Sequence, residues 1–253
     1  MKKLGSLLMA LLMTGMMYQQ GFAQNDNSDD DTDERRKVNY GTRHNFGIDL
    51  GINNYLENGS FPDENNEPYS VRSWGSWYVA LKSINKTHVG GAFYLEWGAD
   101  VSWYNFKFLD ENLRIVEGSE MIEFTQVADD RGRKSKLTAS YLNASFVPVL
   151  DFGGKRGRKH RFWDDDWDSG FRIGAGVYGG YRIGSYTKNV IQDGNDRDRD
   201  RDRDNFYLNN WRYGARLQLG FRGVDFFVNY DLNELFAENR GPELNAFSFG
   251  VTL

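Results

Sequence analysis

The sequence predicts an all-β fold, an eight-stranded antiparallel up-and-down transmembrane β-barrel. Three observations carry that expectation. From Arg43 onward, runs of about ten residues alternate apolar and polar side chains, the period of a strand with two unlike faces. The polar face of these runs mixes full charges with Gly, Ser and Ala, which suits a crowded interior where ion pairs must pack. The last run, Glu243 to Leu253, puts Phe247, Phe249, Val251 and Leu253 on one face and Ala246, Ser248, Gly250 and Thr252 on the other. It stays strand-patterned to its final residue, as the closing strand of a membrane barrel does.

The first strand is expected over Arg43–Asn53, with Phe46, Ile48, Leu50 and Ile52 opposite Gly47, Asp49 and Gly51. The second covers Gly75–Ile84, with Trp77, Val79 and Leu81 outward and Tyr78, Ala80 and Lys82 inward. The third, Ala92–Phe108, sets Phe93, Leu95, Trp97, Ala99, Val101 and Trp103 against Tyr94, Glu96, Gly98, Asp100, Ser102 and Tyr104. The fourth runs from Lys136 to Leu150, where Pro148 is expected to mark a bulge or the strand end. The fifth, Phe171–Ser185, opposes Phe171, Ile173, Val177, Tyr181 and Ile183 to Arg172, Gly174, Tyr178 and Arg182. The sixth, Asn210–Arg222, opposes Tyr213, Leu217, Leu219 and Phe221 to Arg212, Arg216, Gln218 and Arg222. The seventh, Val224–Leu232, and the terminal run complete an even count, as a single-chain bacterial barrel requires. Connections alternate short and long, except Asp151–Gly170, which is long where a short turn is expected. Leu113–Val127 alternates weakly; it either extends the third and fourth strands as a hairpin or raises the count to ten.

Composition agrees. The 253 residues are 15% aromatic, with 28 Gly and 4 Pro, and glycine suits crowded strands. A mean hydropathy of −0.66 excludes a helical membrane bundle but not a barrel, half of whose strand residues face a polar lumen. Residues 1–23 read as a signal peptide: Lys2 and Lys3, an apolar run Leu4–Met17, and Gly21-Phe22-Ala23 before the cut. Residues 24–42 read as a disordered periplasmic leader, and 43–253 as the barrel domain. Loss of Lys2 and Lys3 would take the formal net charge of −5 to −7, which argues against a nucleic-acid partner. With no Cys, there is no disulfide or thiolate chemistry. The signal supplies the export that the expected location, the outer membrane of a Gram-negative bacterium, needs.

A soluble barrel would bury its apolar face inward. Mid-strand charges at Asp49, Lys82, Glu96, Asp100, Arg172, Arg182, Arg212 and Arg216 argue instead for an inward charged face, a structural network filling the lumen. Within it, Glu96 and Asp100 are expected to pair with Arg172, Arg182, Arg212 or Arg216. Trp74, Trp77, Trp103, Tyr104, Trp211, Tyr213, Tyr181 and Tyr230 lie near strand ends, as interfacial girdles do.

The run Ser76-Trp77-Tyr78-Val79-Ala80-Leu81, the segment Phe227–Phe236 and Gly241-Pro242 resemble the PorT-like outer-membrane β-barrel family of Bacteroidetes. The resemblance covers most of the mature chain and implies an eight-stranded outer-membrane barrel; it does not imply a catalytic activity. The Asp-Arg repeat and Asp151–Gly170 look like additions to the family pattern.

Catalytic and metal signals are weak. His44, His88 and His160 fall in separate segments without ligand spacing, and no triad assembles from sequence. Asp164, Asp166, Asp168 and Gly170 depart from a calcium loop, since the glycine is one position late and Ala175 stands where Glu belongs. The alternating Asp196–Asp204 run reads as a solvated low-complexity loop ahead of a grip on lipopolysaccharide. The basic run Gly153–Arg161 lacks P-loop spacing. The expectation is a non-enzymatic barrel with a structural or recognition role, no cofactor and no catalytic or metal residues. Its partners would be outer-membrane lipids including lipopolysaccharide, and other envelope proteins. A narrow pore, an extracellular ligand-binding barrel and a lipid-modifying enzyme are the alternatives.

Overall fold

A computed structural model describes residues 41–63, 67–126, 132–152, 170–193, 196–221 and 224–253. The expected signal peptide and most of the leader lie outside them, as do Arg222, His160, the calcium-loop-like acids and the basic run at 153–161. The described residues form eleven strands: β1 (Thr42–Glu57), β2 (Trp77–Gly90), β3 (Phe93–Lys107), β4 (Leu113–Glu117), β5 (Ile122–Gln126), β6 (Gly132–Asp151), β7 (Phe171–Asp193), β8 (Asp196–Asp200), β9 (Trp211–Phe221), β10 (Val224–Asp231) and β11 (Leu244–Thr252).

Eight of them form a closed ring. The order β6-β3-β2-β1-β11-β10-β9-β7 returns to β6, and the ladders between these neighbours are antiparallel. Closure leaves no free edge within the ring, so its backbone donors and acceptors are paired between strands. At one end β2 turns into β3 through Gly91, whose φ of +57° suits a residue without a Cβ. The other end carries the connections that follow β1, β3, β7 and β10.

Side-chain parity decides what faces where. Phe46, Ile48 and Leu50 on β1, Leu217, Leu219 and Phe221 on β9, and Phe226 and Val228 on β10 are exposed on the outside. Their alternates Asp49, Arg212, Arg216, Phe227 and Asn229 are buried inside. Interior crowding is severe enough that a Cβ on Gly214 would lie 2.5 Å from the Tyr178 hydroxyl. One added to Gly220 would lie 2.5 Å from both Arg172 Nε and Asp225 Oδ1.

Several expectations change. β1 begins at Thr42 and continues past Asn53 to Glu57, where Asn58 and Gly59 (φ 50° and 80°) reverse the chain and Glu57 and Ser60 exchange backbone hydrogen bonds. That Asn-Gly pair is the sequence signature of a type I′ turn. Pro148 neither ends β6 nor shifts its register, and it pairs with Leu95 of β3. Pairing to β7 skips Val147 and Pro148 and resumes at Val149 in the same register, because proline offers no N–H to the ladder. The β6–β7 register shifts fall at Gly132/Lys134 and Ser140/Tyr141 instead. The weakly alternating segment forms β4 and β5, which pair only with each other, so the ring has eight strands and not ten. The Asp-Arg repeat is not simply loop: β8 adds an antiparallel strand to the part of β7 that rises above β9.

Candidate functional site

The long-loop end holds an apolar core that alternation does not foreshadow. Tyr55, Phe106 and Leu137 from the ring meet Leu113, Ile115 and Ile122 of the β4–β5 hairpin and Phe206, Leu208, Leu235 and Phe236 of the later connections. Tyr55 and Phe106 pack with ring centroids 5.1 Å apart, and Tyr69 packs on Phe124 at 5.2 Å. The hairpin is tied down where Arg240 O accepts from Ile122 N (2.8 Å) and Tyr207 donates to Gly118 O (2.7 Å). Tyr69 donates to Glu57 (2.9 and 3.1 Å), and the Tyr55 hydroxyl donates to Tyr69 O. Burial, together with the Glu67 and Glu57 carboxylates, pushes the Tyr69 phenol well above its usual range and keeps it a donor.

Beneath this core the interior is polar in three tiers. In the uppermost, Arg212 donates to Tyr104 (2.6 Å), Asp231 (2.8 Å) and Ser102 (3.3 Å). Its guanidinium lies over the rings of Tyr104, Tyr178 and Tyr141, at 4.4, 4.8 and 5.0 Å. Tyr178 donates to Asp231. This is a cation held in an aromatic cage with its counterion built in.

The middle tier centres on Asp49, which is 0% exposed. It accepts from Arg216 (2.8 and 3.4 Å) and Thr252 (2.6 Å), and Lys82 Nζ stands 3.2 Å away. Arg216 also donates to Asn229 (3.0 Å), which donates to Ser248 (3.1 Å). Gln218, with its amide nitrogen toward Glu96, donates to Glu96 (2.9 Å) and accepts from Arg216 Nε (2.8 Å). In the lowest tier Lys86 meets Asp151 (3.0 Å) and Glu96 (3.9 Å). Arg172 pairs with Asp225 through Nε (2.7 Å) and Nη2, and stands 4.0 Å from Glu96.

The expected network is thus brought together with different partners. Asp49, Lys82 and Arg216 form one cluster. Glu96 reaches Arg172, but Asp100 accepts from Asn143 (2.6 Å) and not from an arginine. Arg182 sits at the long-loop rim and donates to Ser185 (2.8 Å), Asn210 (2.7 Å), Asn205 and Leu208 O, with no acid among these partners. Tyr104, expected in an aromatic girdle, is 1% exposed and inside; it shares the parity of Ser102 and Asp100, and parity outweighs residue type. Sequence reasoning missed Asp225, Asp231, Lys86 and Asp151 as partners. The two β10 acids share the parity of Phe227 and Asn229, so their inward face was readable although their pairing was not.

A cavity of about 10 Å³, room for one water, lies among Tyr78, Lys82, Asp100, Asn143, Arg212 and Arg216. His44 meets Asn85 (3.2 Å) and His88 meets Gly91 O (3.1 Å) at the short-turn end. Among the described residues no group of three or more His, Asp or Glu is placed to hold a metal ion. Comparison with protein-family models finds none that matches the chain, and a search of curated proteins finds no similar sequence.

Proposed function

We propose that this chain is an outer-membrane β-barrel of the PorT-like kind, non-enzymatic, with a structural or recognition role exercised through its long-loop end. The observation that carries the reading is an inside-out distribution: apolar side chains outside, paired charges inside. On β9 the outward residues run from Trp211 to Phe221 and on β7 from Phe171 to Tyr181. Ten residue steps at about 3.3 Å, tilted about 40°, rise roughly 25 Å, the height of a lipid-facing band. Trp74, Trp77, Trp211, Tyr213 and Tyr181 rim its upper edge, and Phe93, Trp97, Phe171 and Phe221 its lower edge, all exposed. Exposing so much aromatic surface to water would be costly, whereas lipid accepts it. Three buried cations, Lys82, Arg212 and Arg216, lie inside among acids. Interior paired charge, with a cavity of only about 10 Å³ among Tyr78, Lys82, Asp100 and Arg216, favours a plugged barrel over a pore.

Fractionation tests the reading. Expressed as the full chain in a Gram-negative host, the protein is expected in outer membranes. On gels it should migrate differently before and after boiling, because a closed barrel resists detergent until heated. Recovery as a soluble periplasmic species refutes it.

A further inference from the structure

The outward face of the sheet, just above the exposed aromatic band, carries cations set directly opposite one another. Lys107 of β3 pairs with Lys136 of β6, and Lys136 pairs with Lys188 of β7. The Asn189–Asp200 pairing continues upstream, and Thr187 N donates to Asp202 O (2.9 Å), which sets Arg201 opposite Lys188. One row across β3, β6, β7 and the residue just past β8 is therefore Lys107, Lys136, Lys188, Arg201. The adjoining row places Lys134 and Arg199 on either side of Val190. Tyr186 lies among them, with the Arg201 guanidinium 4.7 Å and Lys136 Nζ 5.9 Å from its ring. Lys134, Lys188 and Arg201 all bear electrostatically on Lys136.

Like charges directly opposite in a sheet destabilise it. Lys107 is relieved by Glu111 at 3.3 Å. Among the described residues, no ion pair relieves Lys134, Lys136, Lys188, Arg199 or Arg201. The aspartates that alternate with these arginines fall on the other side of the strand, where Asp200 acts on Arg114. The alternating repeat thus delivers its positive half to one face, in line with three lysines from neighbouring strands. A sheet that sets cations side by side in this way is preorganised for an anion with several acceptor oxygens.

We propose that this face binds the phosphorylated headgroup of an outer-leaflet lipid. The inference rests on the membrane-barrel reading. Lipid is favoured over a free anion by continuity: the row stands four residues above outward Trp103 on β3, and exposed Tyr181 and Ile183 lie below it on β7. Four residues of tilted strand rise about 10 Å, from the hydrocarbon edge into the headgroup layer. A lipid with acyl chains on Trp103, Tyr181 and Ile183 therefore presents its phosphate at Lys136, Lys188 and Arg201.

The test uses the full protein in phosphatidylcholine nanodiscs, offered lipid A, dephosphorylated lipid A or inorganic phosphate, with bound lipid counted by native mass spectrometry. Parent protein is compared with K136Q/K188Q, a pair of outward residues whose loss removes repulsion and leaves the interior untouched. The variant should bind lipid A roughly thirtyfold more weakly, and dephosphorylated lipid A should bind both proteins alike and weakly. Equal lipid A binding by parent and variant overturns the proposal, as does full competition by millimolar inorganic phosphate, which would mark a soluble-anion site. Gel migration before and after boiling is read on the same samples. Heat-modifiable protein without discrimination sinks this inference alone; parent protein that never inserts sinks the barrel reading with it.

Discussion

Arg216→Met removes the cation at the centre of the interior and leaves a similar volume of side chain. Asp49 would lose two charge-assisted hydrogen bonds, of 2.8 and 3.4 Å, while keeping Lys82 at 3.2 Å and the Thr252 hydroxyl at 2.6 Å. Asn229 and Gln218 would each lose a donor. Breaking a buried pair by deleting one partner costs about 3–5 kcal/mol. Lys82 remains to hold the carboxylate, so the lower end, about 3 kcal/mol, is expected. The double variant Asp49→Asn/Arg216→Met removes both charges together, so it should cost less than the sum of the two single changes by roughly 1.5–3 kcal/mol. The assay is urea unfolding of protein refolded into vesicles, with the folded fraction read from gel migration of unboiled samples. An Arg216→Met cost below about 1 kcal/mol, or strict additivity in the cycle, would refute the buried-pair argument.

Other outcomes follow from the same geometry. Arg212→Lys should destabilise by about 2 kcal/mol, because one ammonium cannot serve Ser102, Tyr104 and Asp231 together; the same vesicle assay reads it. Gly214→Val should block folding or cost about 3 kcal/mol, since its Cβ would meet the Tyr178 hydroxyl at 2.5 Å, and refolding yield checks this. Raising the Tyr69 phenol in the fold ties loop docking to pH. Its contribution is complete below the ordinary tyrosine value near 10 and is lost as pH rises through the higher folded value. Thermal unfolding of the parent should therefore weaken at alkaline pH, and Tyr69→Phe should flatten that part of the profile. Planar-bilayer recordings should show no large steady conductance, because paired charges cross the interior and the cavity among Tyr78, Lys82, Asp100 and Arg216 holds about 10 Å³; a reproducible current altered by charge reversal at Arg216 would contradict the plugged interior.

Side-chain parity was legible in the sequence wherever a strand kept one unbroken alternation. Asp49, Lys82, Asp100, Arg212 and Arg216 all point inward as their neighbours' spacing requires, and Phe46, Leu217 and Phe249 point outward. That information is local: a period of two needs no knowledge of the partner strand. Even the turn at Asn58-Gly59 was available from its two residues.

What only the tertiary structure decided is who meets whom. Arg216 and Asp49 stand 167 positions apart, and their contact depends on β1, β11, β10 and β9 lying side by side in a set register. Asp231 meets Arg212 across the β9–β10 hairpin, but the Tyr178 and Tyr104 hydroxyls that complete the cluster come from β7 and β3, which sequence order keeps distant. The same limit hid the apolar core at the long-loop end, where Leu113, Ile122, Leu208 and Phe236 come from connections without strong periodicity. It also hid the basic row, whose lysines are unremarkable along the chain and become neighbours only across the ladder. Alternation sets the face of a residue, whereas ring closure and register set its neighbours, and these depend on packing summed over all eight strands.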